Sequence, residues 1–185
     1  MEFEAGIIKF LQSNASNGWI TTFQVISMFG SYLGFCIVFF IIFIKNKRLS
    51  FVFALTFAAA CVFNYALKRV ICRHRPFVDY AYIYNFGNED GFSMPSGHSV
   101  CAGLFASFLI YHLFTQSNDI LTRVVGSICM ALLTVLIAFS RVMLGAHYLT
   151  DTIVGIIIGI IFAILAVCVY NICRRKIWKG ARGGE

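Results

Sequence analysis

The sequence predicts an all-α membrane protein, a polytopic bundle of about five transmembrane helices preceded by an N-terminal amphipathic helix. Three observations predict it. The 185 residues are 59% hydrophobic and 12% charged, whereas a soluble globule carries roughly 25% charged residues. Mean hydropathy is +0.82. The apolar residues fall into five runs parted by polar connections, of which only one is long.

Taken in order, residues 2–12 place Phe3, Ile7, Phe10 and Leu11 at helical spacing, with Glu2, Glu4, Lys9 and Gln12 on the other faces. That pattern suits a short helix lying in the membrane interface. The stretch Ser13-Asn14-Ala15-Ser16-Asn17-Gly18 breaks it. Residues 1–18 lack the basic start, apolar core and small-residue cleavage site of a cleavable signal peptide. The first run, roughly 20–44, carries no charge until its end and is long enough to span. The others cover roughly 50–68, 98–115, 122–140 and 150–172. The middle ones fall short of the ideal of about 20 residues, so their helices are expected to extend into the flanking polar segments. Gly126, Gly145, Gly155 and Gly159 permit close helix packing, with Gly155 and Gly159 in small-xxx-small register. The whole chain, 1–185, reads as one domain with a basic tail over 173–185.

Charge and cysteine usage exclude other classes. A net charge of +7 in a soluble protein would suggest nucleic acid. Here the cations sit at the ends of apolar runs, where they act as topology signals and ligands. The seven cysteines are scattered through apolar runs without a CxxC pair, so they read as small hydrophobes, with neither a disulfide framework nor zinc spacing. With five spans, Lys45, Lys47, Arg48, Arg123 and the tail cations Arg174, Arg175, Lys176, Lys179 and Arg182 share one side. The positive-inside rule makes that side cytoplasmic.

The opposite side receives three polar islands: Lys68 to Arg75-Pro76, Pro95-Ser96-Gly97-His98, and Ser140-Arg141 with His147 and Asp151. Charge in a membrane segment is costly, so it marks function by default. Arginine presents a planar fork matched to phosphate oxygens and lysine a compact charge. Lys68, Arg75 and Arg141 come from three segments and would neutralise a phosphoryl group as charge builds in a transition state. Ser96 is a candidate helix N-cap. Gly97 lets the backbone approach an anion, and a helix N-terminus offers free N–H groups. His147 and Asp151, four residues apart, would share a helix face, with the carboxylate fixing the tautomer and leaving the other ring nitrogen to attack. His112 has no such company and reads as structural.

Taken together, Lys68-x6-Arg75-Pro76, Pro95-Ser96-Gly97-His98 and Ser140-Arg141-x5-His147-x3-Asp151 resemble the three-part signature of the type 2 phosphatidic acid phosphatase (PAP2) superfamily, in its membrane lipid phosphatase branch. The resemblance covers residues from about 50 to 160. It implies that His147 is the nucleophile that becomes a phosphohistidine, that Asp151 orients it, and that His98 protonates the leaving oxygen and then activates water. It implies that Lys68, Arg75, Arg141 and the Ser96 and Gly97 amides hold the phosphoryl oxygens, with neither metal nor other cofactor. Arg73 and Gly145 also resemble common choices of the family. Its membrane members generally have six spans against the five counted here, and the missing one carries no catalytic motif.

The expected activity is therefore hydrolysis of the terminal phosphate of a lipid phosphate or diphosphate at the outer face of the cell membrane. Undecaprenyl diphosphate, phosphatidylglycerol phosphate and phosphatidic acid are the candidates, the first favoured. The partners are the lipid and the bilayer, not nucleic acid. A transporter would spread its charges through membrane depth, but these cluster at one face. An inactive binding relative would be expected to lose a nucleophile or acid, and none is missing. A vanadium haloperoxidase of the same fold fits a membrane chain poorly.

Overall fold

A computed structural model describes residues 2–182, with side chains described through residue 175. Residues 183–185 of the expected basic tail lie outside the described residues. The regular structure among the described residues is helical: α1 (Glu2–Ser13), α2 (Asn17–Met28), α3 (Tyr32–Lys45), α4 (Lys47–Ile71), α5 (Pro76–Asp79), α6 (Gly97–Gln116), α7 (Ile120–Met143) and α8 (Leu149–Arg182). Among the described residues, α4, α6, α7 and α8 are each long and apolar enough to cross a membrane. The helices α2 and α3 qualify only together, with a bend of 46° between them, which brings the count to five.

That bend is where the structure departs from the expected single run over 20–44. Phe29 closes α2 and Ser31 starts α3. A Cβ on Gly34 would lie 1.9 Å from the Phe29 carbonyl oxygen, so only glycine lets the second helix start so close to the first. The other helices run past their apolar stretches, as the short middle runs require.

The core forms around α6. Phe53, Leu104 and Phe108 are fully buried with Ile42 and Leu49, and Phe53 meets Phe105 and Phe108 edge-on at 5.8 and 5.1 Å between ring centres. Such contacts add about 0.5–1.5 kcal/mol beyond burial. The expected close approach at Gly155 and Gly159 is used between α8 and α6. A Cβ at Gly159 would lie 2.1 Å from the Val100 carbonyl oxygen, and one at Gly155 would lie 2.7 Å from that of Ser96. Facing outward are Phe40, Phe51, Leu55, Val62, Leu132, Val135 and Leu165, all exposed, a surface that suits lipid.

α1 is amphipathic as expected, but it is also docked. Ala5 and Ile8 are fully buried against Ile83, Val142 and Tyr148. Gln12 accepts from the Tyr84 amide and donates to its carbonyl. The helix thereby braces the loop that carries the second polar island. Within that loop, Tyr80 pairs with Tyr82, and Tyr84 is exposed.

Candidate active site

The three islands meet at one end of the bundle, because α4 and α7 end there while α6 and α8 begin there. Lys68 occupies the last turn of α4. Arg75 precedes α5, which proline initiates. Ser96 caps α6, Arg141 lies in the last turn of α7, and Asp151 lies in the first turn of α8.

His147 sits before α8, not on it, so the shared helix face expected of His147 and Asp151 is absent. The same spacing works through a cap instead. Tyr148 precedes the helix, and Asp151 reaches back from the third helical position to accept its amide at 2.9 Å, the carboxylate half of a capping box. His147 Nδ1 stands 3.8 Å from Asp151 Oδ2, too long for a direct hydrogen bond. Ser93 fills the gap: its hydroxyl donates to Asp151 Oδ2 at 2.5 Å and lies 3.4 Å from His147 Nδ1. Asp151 is fully buried and His147 nearly so. Burial pushes the His147 pKa down to about 4, against Asp151, which raises it, and with Arg75 and Arg141 lowering it further. The imidazole is therefore neutral near pH 7, as a nucleophile must be.

The cations converge but are partly engaged. Arg75 donates to the carbonyls of Asp90, Gly91 and Ala146, and its Nη1 lies 3.4 Å from His147 Nε2. Lys68 donates to the Phe92 and Ser93 carbonyls at 2.6 and 3.2 Å. Arg141 donates through Nη1 to the Ser27 hydroxyl, whereas its buried Nε has no partner among the described residues. The Ser96 hydroxyl does not cap its helix as expected. It accepts from Ser99 at 3.1 Å. The Ser96 amide, assigned from sequence to the phosphate, donates to the Asp151 carbonyl at 3.1 Å. The Gly97 and His98 amides, by contrast, have no acceptor among the described residues. His98 is partly exposed, on the rim of a cavity of about 650 Å³. The cavity descends from the cations between α3, α4 and α6, past Tyr32, Phe57, Ala60 and Val100. His112 is far off, fourteen residues or about 21 Å along α6.

Several site residues escaped the sequence reading. Glu89 pairs with Arg75 at 3.2 Å and with Arg141. Burial would raise its pKa, but Arg141, His98 and Arg75 hold it below the usual carboxylate range. Ser93 had no motif to mark it beyond its place two residues before Pro95. Arg73 was noted only as a family-like choice, yet it bridges Asp151 at 2.5 Å and Glu4 of α1 at 3.0 Å. Asn64, one helical turn before Lys68, borders the cavity with a buried, unpartnered Oδ1. Its spacing from Lys68 was the available signal.

A family model described as the PAP2 superfamily matches residues 47–175. A phosphatidylglycerophosphatase B of Bacillus subtilis is 34% identical over 116 residues, 60% of this chain and 53% of that protein. A dolichyldiphosphatase of Saccharomyces cerevisiae is 30% identical over 115 residues, 61% of this chain and 48% of that protein. The chain thus spans about half the length of these curated relatives. The crystal structure of a transmembrane PAP2-type phosphatidylglycerolphosphate phosphatase from Bacillus subtilis superposes with a TM-score of 0.80 at 24% identity, covering 92% of this chain and 85% of that one. That of Aquifex aeolicus LpxE gives 0.71 at 22% identity, covering 88% and 93%. These two likenesses show the fold.

Proposed function

The chain belongs to the PAP2 superfamily, and from that premise we propose that it is a lipid phosphatase that removes the terminal phosphate of a lipid phosphate or diphosphate through a phosphohistidine. The observation that carries the reading is the neutral, buried His147, with Nε2 3.4 Å from Arg75 and its other nitrogen backed by Ser93 and Asp151. A nucleophile, its orienting group and a cation stand around one space.

In the first step the Nε2 lone pair of His147 forms a bond to phosphorus. The bond from phosphorus to the lipid oxygen breaks, and that oxygen keeps the electron pair and takes a proton from His98, which the negative charge of the entering phosphate keeps in its protonated form against burial and Arg141. Asp151 supports the positive charge that develops on the imidazole. In the second step His98 accepts a proton from water as the water oxygen attacks phosphorus. The P–N bond breaks, His147 regains its lone pair, and inorganic phosphate leaves. Arg75, Arg141, Lys68 and the free Gly97 and His98 amides neutralise the equatorial oxygens. These side-chain cations meet the phosphoryl charge, so the reading calls for no metal. The cavity between α3, α4 and α6 takes the lipid's chain while the phosphate meets the cations.

The site faces the outer side of the membrane in this reading, because Lys45, Lys47 and Arg48 lie at the opposite end. The matched relatives are named for different lipids, and the polyprenyl diphosphate is the favoured substrate. The deciding experiment is phosphate release by the purified chain from undecaprenyl diphosphate, phosphatidylglycerol phosphate and phosphatidic acid, with His147→Ala alongside. Turnover should vanish in the variant, and acid-labile, base-stable phosphoprotein should be trapped only in the parent. Near-normal turnover by a folded His147→Ala protein would remove this residue, and with it the mechanism.

A further inference from the structure

Glu89 is a carboxylate for which the reaction has no use, yet it stands among the groups that hold the phosphate. Its Oε2 lies 3.2 Å from Arg75 Nη2, and its Oε1 meets Arg141 Nη2 and lies 3.8 Å from His98 Nδ1. A phosphoryl group held by both arginines beside His98 would need the same space.

The placement is built from the main chain. Asn85 donates through Nδ2 to the Glu89 carbonyl at 3.1 Å and accepts the Glu89 amide at 3.3 Å. Asn88 and Gly91 turn the loop with positive φ of 48° and 68°, and Arg75 grips the carbonyls of Asp90 and Gly91. The backbone of residue 89 is therefore held by contacts that do not involve its side chain. The side chain has somewhere to go, because Glu89 also borders a second cavity of about 300 Å³, next to Gln24, Ser27 and Asn88.

We propose that Glu89 is a built-in competitor for the phosphoryl seat, a specificity-determining residue that decides which anions can take it. The inference rests on the reading that the seat accepts a lipid's terminal phosphate. A phosphodiester headgroup carries one negative charge and two free oxygens, which is what the carboxylate already offers, so the exchange gains it nothing. A terminal phosphate carries up to a second charge near neutral pH, its second pKa being about 6, and it has a third free oxygen. That oxygen has a donor waiting in the buried, unpartnered Nε of Arg141. The carboxylate thus yields to terminal phosphates and holds the seat against the phosphodiesters that crowd the surrounding bilayer.

The test uses the full chain in neutral detergent micelles, with Glu89→Gln, Glu89→Ala and Glu89→Asp. All three keep the Asn85 bracket, which touches only the main chain. Two quantities are read: the affinity for inorganic phosphate by calorimetry, and inhibition of lipid phosphate hydrolysis by added phosphatidylglycerol, a phosphodiester. Phosphate affinity should rise about ten- to a hundredfold in the Gln and Ala variants, the worth of one hydrogen bond to a charged group, and phosphatidylglycerol should become an inhibitor. Glu89→Asp should stay near the parent. Unchanged phosphate affinity in both neutral variants overturns the proposal. So does a lower kcat at unchanged affinity, which would make Glu89 a positioning group for His98. Tighter phosphate binding in the variants of a chain that hydrolyses no lipid would keep the competitor and sink the reaction.

Discussion

Replacing Arg73 by glutamine is the sharpest probe of how the site is held together. Arg73 Nη1 is 2.5 Å from Asp151 Oδ1 and 2.7 Å from the Thr150 hydroxyl, and Nη2 is 3.0 Å from Glu4 Oε2. Its guanidinium carbon lies 4.2 Å above the Tyr148 ring. Asp151 is fully buried, whereas the Arg73 side chain keeps 15% of its surface. Removing one partner of a buried pair costs about 3–5 kcal/mol. Asp151 retains Ser93 and the Tyr148 amide, which lowers its share to roughly 2 kcal/mol. The partly solvated Glu4 pair adds under about 1 kcal/mol, and the lost contact with the ring about 0.5–1. The sum is about 3 kcal/mol, a fall of roughly 6–12 °C in the melting temperature for a chain of this size. A melt of the purified variant in detergent reads it. Turnover should fall at least about tenfold, since the carboxylate behind His147 has lost its fixed partner. Arg73→Lys, which keeps the charge and loses the fork, should lie between. A glutamine variant within about 1 °C of the parent, with normal turnover, would refute the claim that Asp151 depends on Arg73.

Two further outcomes follow from the site. Because His147 titrates at about 4 rather than at 6.5, its lone pair is lost only when the pH falls through about 4. Followed by NMR titration of the free protein, the His147 ring should stay neutral until well below pH 6, and a ring titrating at 6.5 would contradict a buried neutral nucleophile; kcat/KM would not isolate it, because the substrate's own second ionisation near about 6 enters that ratio too. With the native cysteines replaced, a cysteine at exposed Asn88 should react with an impermeant thiol reagent in intact cells and one at exposed Asn118, between α6 and α7, should not; the reverse pattern would put the site in the cytoplasm.

What the sequence made legible were side chains whose chemistry is rare in an apolar setting. Lys68, Arg75, His98, Arg141, His147 and Asp151 stood out by their spacing as three islands at the ends of apolar runs, although Arg69, Arg73 and His74 beside them carry charge or titrate as well. Hydropathy found α4, α6, α7 and α8, since each is one unbroken run. It missed the break between α2 and α3, which is made of Phe29, Gly30 and Ser31 inside an uncharged stretch and changes direction without changing polarity. It missed the way Asp151 serves His147, because helical spacing and a capping box use the same interval. Glu89 was hidden for a different reason. It lies in a loop with Asp79 and Asp90, where an acid is unremarkable, and only the folded chain shows which of the three points at the arginines.

The grip of Lys68 and Arg75 on loop carbonyls changes how their loss must be interpreted. Every residue has a carbonyl, so this second duty leaves no trace in composition. A truncated Lys68 removes a charge from the seat and also unties Phe92 and Ser93 from α4. Ser93 beneath His147 is then held only by its amide on the Arg73 carbonyl and its hydroxyl on Asp151. Supplying a small amine or guanidine from solution would restore the charge and leave the tether cut. Failure of such rescue at these two positions therefore says little about phosphate contact, whereas Arg141 holds no main-chain carbonyl among its bonds to the described residues and is the cation at which rescue isolates electrostatics.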